Sequence, residues 1–295
     1  MRHRFLSAFF AFFLITPVVH AQEASDWVVL FVSMRSGEGD LYAVDLVTLE
    51  EWKVYGTDAP EGAPRLDAAR ERIVHHRFDG PNGAPRLFSG DTLLFDDPNG
   101  EVPPSWSPDG ERIVYASSRN GQTNLFTASA DGSGEVQLTD TPAEEKYPVW
   151  SNDGQHLAWL ERAESGWDVM IAPADDVQAS TSLLTLERYA GHPIWAPDGS
   201  VIALDSMVEF DADVVLVDVA NPDDSVVIRR ENNDLVPAFS PDGRTIVFAS
   251  SDENGNWDVW SYNRDTDRFK QLTTDPSFDG GPVVIPKAWL PVRSE

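Results

Sequence analysis

The chain has 295 residues, 49 of them acidic against 22 basic, a formal charge of −27 and no cysteine. Disulfides, thiol chemistry and lipid attachment through a cysteine are therefore not expected. A nucleic-acid partner and an anionic lipid surface are also disfavoured, because both are bound by basic faces.

In chain order, Arg2-His3-Arg4 precedes an apolar run over residues 5–19 and the small-residue context Val19-His20-Ala21. This is the layout of a secretory signal, with cleavage expected after Ala21. The apolar run is shorter than the roughly 20 residues of a membrane span. The expectation is a periplasmic or secreted mature chain, residues 22–295, with no membrane insertion after cleavage. Residues 28–55 then supply three strand-like segments separated by turn residues.

From residue 64 onward one pattern recurs. Residues 104–115 read P-S-W-S-P-D-G-E-R-I-V-Y, and the same frame returns at Pro148, Pro193 and Pro237. A worn copy starts at Pro64, and a truncated one over residues 282–285. Successive starts lie 40 to 45 residues apart. Such a period marks a propeller blade, a small sheet that buries its faces only by stacking on its neighbours. Within one copy, Ser107-Pro108-Asp109-Gly110 fits a type I turn between a first and a second strand. Residues 112–117, 125–128 and 136–139 read as the second, third and fourth strands.

The ends complement each other. Residues 28–55 align with a second, third and fourth strand and lack a first. Residues 282–285 are a first strand with nothing after it. The expected fold is all-β: a six-bladed β-propeller of four-stranded antiparallel blades, its ring closed when the C-terminal strand joins the N-terminal three. Residues 22–295 are expected to form a single domain. Trp106, Trp150, Trp195 and Phe239 share one place in the repeat, which points to packing between blades. Asp40, Asn124, Asp168, Asp213 and Asp258 share the start of the third strand, where they are expected to cap the preceding loop.

The recurring W-S-P-D-G, the S-x-R-x-G-x-x-[DN]-[IL]-[YF] segment (residues 33–42 and 117–126) and the closing Leu-Thr pairs at 138–139 and 272–273 resemble the TolB-type propeller family. This is a WD40-like (PD40) repeat of periplasmic proteins, also met in prolyl-oligopeptidase-type propellers. The resemblance spans the whole expected mature chain. It implies a protein-binding propeller of the cell envelope. TolB-family proteins carry an α/β domain ahead of the propeller that links to the inner membrane. Here only residues 22–26 precede the first strand, so the resemblance is to the propeller part alone.

Candidate site residues come from the place three before each first-strand proline. It holds Glu61, Glu101, Glu145, Ala190, Asp234 and Asp279, acidic in five of six blades. Propeller geometry sets this place at one mouth of the channel. Two readings follow. The acids form a negative funnel for a basic segment of a protein partner, or for a hard cation such as calcium. Alternatively, each accepts hydrogen bonds from the turn before its proline, with Arg35, Arg119 and Arg162 on the same face to neutralise part of the ring. Where the acid is missing, His192 follows Ala190 and Gly191, and Tyr147 holds the equivalent place one blade earlier. These two are a candidate ligand-contacting pair.

No metal-ligand spacing, no nucleophile elbow and no phosphate loop is present. The expectation is therefore a non-catalytic binding scaffold. The alternative is a carbohydrate-active enzyme, a lyase or glycosidase, using carboxylates that converge in the channel.

Overall fold

The computed structural model describes residues 26–62, 64–78, 86–95, 100–209, 211–230 and 232–290. The expected signal segment lies outside the described residues. The strands are β1 (Trp27–Ser33), β2 (Asp40–Asp45), β3 (Glu51–Tyr55), β4 (Arg65–Asp67), β5 (Arg72–Arg77), β6 (Arg86–Ser89), β7 (Thr92–Phe95), β8 (Gly100–Trp106), β9 (Arg112–Ser117), β10 (Asn124–Ser129), β11 (Val136–Gln137) and β12 (Glu145–Trp150). They continue with β13 (His156–Ala163), β14 (Gly166–Pro173), β15 (Thr181–Leu186), β16 (Ala190–Trp195), β17 (Val201–Val208), β18 (Asp211–Asp218), β19 (Val226–Ile228), β20 (Asp234–Phe239), β21 (Thr245–Ser251), β22 (Trp257–Asn263), β23 (Arg268–Gln271) and β24 (Asp279–Pro286).

These form six four-stranded antiparallel sheets arranged as a ring. Blade one has the order β24-β1-β2-β3, and blades two to six each use four consecutive strands. The ring closes through β1 and β24, in the register Val28↔Ile285 and Ser33↔Asp279. Neither end could form a complete blade alone.

Local chemistry explains the repeat. In the Ser-Pro-Asp-Gly turn, Gly110 N donates to Ser107 O at 2.7 Å, and Asp109 is held by the Ser107 hydroxyl at 2.6 Å. Gly110 has φ +71, a conformation that favours glycine. The next strand then departs at once, with Arg112 N bonded to Ser107 Oγ.

The apolar core is divided into six clusters, one at each blade interface. Trp150 packs against Val114 and Leu125 of blade three and against Leu157 and Trp159 of blade four. Trp106, Trp195 and Phe239 bridge their blades in the same way. Val284 takes this role where β24 meets blade six.

One local expectation is corrected. The polar residues opening the third strands bond the fourth-strand side as well as the preceding loop, where Asp40 accepts from the Ser36 hydroxyl and Asp258 from the Asn256 side-chain amide, and they do so through side chains and not through the loop's backbone N–H groups. Asp40 binds Lys53 at 2.7 Å, Asp168 accepts from Thr185, and Asp213 pairs with Arg229 at 2.9 Å. The fourth strand lies alongside and offers charged and hydroxyl donors. Asn124 alone among these takes a backbone N–H, that of Thr141 at 3.3 Å.

Candidate functional site in the channel and at its mouth

Each blade's first strand lies innermost, so its starting residue sits at one mouth of the ring. Glu145, Asp234 and Asp279 open β12, β20 and β24, and Glu61 bridges to Arg77 ahead of β4. Glu101 lies on β8 opposite Ala116, and its side chain is outside the description. The four described acids are 0–3 % exposed. The expected solvent-facing funnel is therefore not formed by these four carboxylates. They are folded under the loop that crosses from the previous blade.

The partners come from that crossing. Glu61 accepts from Thr57 N at 3.0 Å and Thr57 Oγ1 at 2.6 Å. Asp234 accepts from Arg230 N at 2.9 Å. The Thr139 hydroxyl donates to Glu145 while accepting from Leu125 N, so the Leu-Thr signature ties a third strand to the next blade's acid. Asp279 pairs with Arg35 at 2.8 Å. Arg119 pairs with Glu135, and Arg162 lies over the Trp167 ring. Burial raises the Glu145 carboxyl to about 7 and those of Asp234 and Asp279 to about 6.

Just inside the acids the first strands bulge. In blades four, five and six the residue before the first-strand proline is left-handed, with φ 52 at Tyr147, 48 at His192 and 54 at Val236, and the pairing register shifts there. A residue before proline ordinarily favours extended backbone, so these positions are held by their surroundings. The bulge re-aims the side chain. Tyr147 and His192 from adjacent blades meet with ring centroids 4.9 Å apart.

His192, solitary in sequence, has a partner the repeat does not announce. Its Nδ1 lies 2.7 Å from Oδ1 of Asp205, which is fully buried on β17 and accepts Val236 N of the next blade at 3.0 Å. Thus blade five, whose first strand has Ala190 in the acid place, receives a carboxylate from its second strand. Gly191 makes room: a Cβ there would stand 2.9 Å from Asp205 Oδ2. Burial raises the Tyr189 phenol, with Asp205 and Tyr147 adding to the effect, so these three groups are neighbours.

Arg65 on β4 completes the cluster. It interacts electrostatically with Tyr147, although blade three stands between their blades. Both lie on innermost strands, which face the channel. Asp205 and Arg65 were legible as oddities, an acid inside the apolar run over residues 201–208 and a cation where other copies carry Ser105, Val149, Ile194, Ala238 and Val283. Only folding relates them.

Around the same mouth, Met34, Phe78, Tyr189, Met207 and Phe278 remain 37–43 % exposed. Met34, Phe78, Tyr189 and Phe278 sit on the loops after second strands or before first strands, and Met207 lies near the end of the second strand β17. Phe278 leans on Trp257, ring centroids 6.3 Å apart. Among the described residues no group of three or more His, Asp or Glu side chains converges as metal ligands, and no helix is long and apolar enough to cross a membrane.

The architecture is that of a six-bladed propeller with a polar cluster inside its channel and an apolar rim at one mouth. Its fold is similar to that of TolB structures. TolB of Acinetobacter baumannii superposes with a TM-score of 0.76 at 16 % identity, covering 90 % of this chain and 68 % of that one. A protein assigned as TolB from Agrobacterium tumefaciens gives 0.62 at 18 %, covering 86 % and 90 %. An oligogalacturonate lyase bound to manganese gives 0.56 at 13 %, covering 84 % and 73 %. At these identities the likeness is one of fold. No family model matches the sequence, and no curated protein matches it.

Proposed function

We propose that this chain is a non-catalytic binding scaffold of the cell envelope, periplasmic or secreted, that holds a protein partner on the face carrying the channel mouth. The observation that carries the reading is the apolar rim. Five large apolar side chains stand exposed on one face of a chain with a net charge of −27. Clustered exposed apolar groups on a charged surface mark interaction sites. Further support comes from TolB structures and from a propeller of a nidogen/laminin complex, TM-score 0.68 at 12 % identity. In this reading Glu61, Glu145, Asp234 and Asp279, with Glu101 in the equivalent place, act as positioning groups for the loops bearing the rim.

The test is a crosslinked pull-down from envelope extract with the triple variant Met34→Ser, Phe78→Ser, Phe278→Ser beside the parent protein. A control variant carries Val226→Ser and Val227→Ser on the outer strand β19. A defined partner kept by the control and lost by the rim variant is the expected result. Equal capture by all three proteins removes the reading.

A second reading, a carbohydrate-active enzyme working in the channel, is favoured by the His192–Asp205 pair beside Tyr147, Tyr189 and Arg65. Incubation with oligogalacturonates and neutral oligosaccharides distinguishes it, since cleavage abolished by His192→Ala would require catalysis.

A further inference from the structure

Arg65 is anomalous in this chain. Acids outnumber basic residues by more than two to one, and several described arginines find them: Arg35 pairs with Glu51, Arg72 with Asp67, Arg229 with Asp213. Arg65 sits half-buried on the innermost strand of blade two, and its one hydrogen bond among the described residues runs from Nη1 to Pro64 O at 2.9 Å. No described carboxylate faces it. A guanidinium has five N–H donors in a planar fork, so most of its donor capacity is uncommitted. Partial burial without a counter-charge disfavours the charged form, and it lowers the Arg65 group to about 10.

The surroundings are polar and built. Arg65 interacts electrostatically with Tyr147, whose ring meets that of His192 at a tilt, centroids 4.9 Å apart. His192 is 24 % exposed and is fixed by the buried Asp205 through Nδ1. Blades two, four and five thus present a cation, a phenol and an oriented imidazole to one space.

We infer that the channel is a binding site for a small organic carboxylate, which Arg65 grips with its fork while Tyr147 and His192 meet the rest of the ligand. A carboxylate offers two acceptor oxygens with the spacing of two guanidinium N–H groups. It would also supply the missing counter-charge. The inference stands on the channel geometry and does not depend on a partner docking at the rim. A sugar acid and a peptide C-terminus both provide such a carboxylate, and the two have separate arms in the test.

The experiment is calorimetric titration of the purified protein with glucuronate against glucose, and with acetyl-trialanine against its C-terminal amide. At least one acid should bind, about tenfold or more tighter than its neutral counterpart. Arg65→Gln should erase that preference, and Arg65→Lys, which keeps the charge but not the fork, should restore it in part. Far-UV circular dichroism checks that each variant is folded. The acid-against-neutral comparison on the parent protein stands even if a variant misfolds. The inference is overturned if neither acid binds at about 10 mM, if acid and neutral forms bind alike, or if folded Arg65→Gln keeps the preference.

Discussion

Asp205 fixes His192: its Oδ1 lies 2.7 Å from the imidazole Nδ1 and also accepts Val236 N at 3.0 Å. One buried carboxylate oxygen thereby ties a channel side chain of blade five to the backbone of blade six. Asp205→Ala would orphan a buried backbone N–H and release the imidazole. A loss on the order of 1–3 kcal/mol is expected in urea unfolding, with Asp205→Asn losing less because its amide oxygen can still accept. Equal stability of parent and Asp205→Ala would remove this account of the link.

Glu145 gives a pH-dependent cost. Its folded carboxyl is raised to about 7 by burial, with Glu161 nearby adding to the rise. A raised carboxyl binds its proton more tightly when folded, so this contribution to stability declines as pH rises through the window from about 4.5 to about 7. Glu145→Gln should therefore match the parent near pH 4.5 and exceed it above pH 7, on the order of 1–3 kcal/mol. Thermal or urea unfolding of both proteins at several pH values reads the difference. A variant less stable than the parent at pH 8 would contradict it.

His75 and His76 act in the opposite direction. Burial lowers them to about 4 and about 3, with the Arg77 and Arg65 charges as secondary causes. Both stay neutral in the folded protein, and stability from this pair falls as pH drops below the ordinary histidine range. The two opposing sets overlap between about pH 4.5 and 6.5, so the whole-protein profile conceals both. Proton NMR should find two imidazoles that remain unprotonated at pH 5. Ordinary titration of all the histidines would refute this.

Ring closure predicts a strong contrast between two apolar truncations. Ile285 is fully buried where β24 joins β1, whereas Val226 lies exposed on the outer strand of blade five. Ile285→Ala should cost about 2–5 kcal/mol in urea unfolding. Val226→Ala should stay within about 0.5 kcal/mol. Similar losses would mean that closure contributes little.

The blades were legible because each repeats a chemistry that acts locally. The proline, glycine and Ser-Asp pair shape one turn, and the residue two after the proline meets the neighbouring sheet. The fate of the acids was less legible. Sequence placed Glu145, Asp234 and Asp279 at the mouth, but whether a carboxylate there faces water depends on the crossing loop folded over it. That loop belongs to the preceding blade. His192 and Tyr147 were readable as a pair because both precede a first-strand proline. Asp205 was not, because its part in the cluster comes from antiparallel pairing opposite Gly191.

Period, turn chemistry and the complementary ends determined six blades and their closure from sequence alone, since these depend on contacts within a blade or between successive blades. The channel cluster depends on side chains whose separation along the chain says nothing about their separation in space. Arg65, Tyr147, His192 and Asp205 come from three blades. Only the closed ring turns the innermost strands toward a common axis, and only there can a cation in one blade act on an aromatic group two blades away.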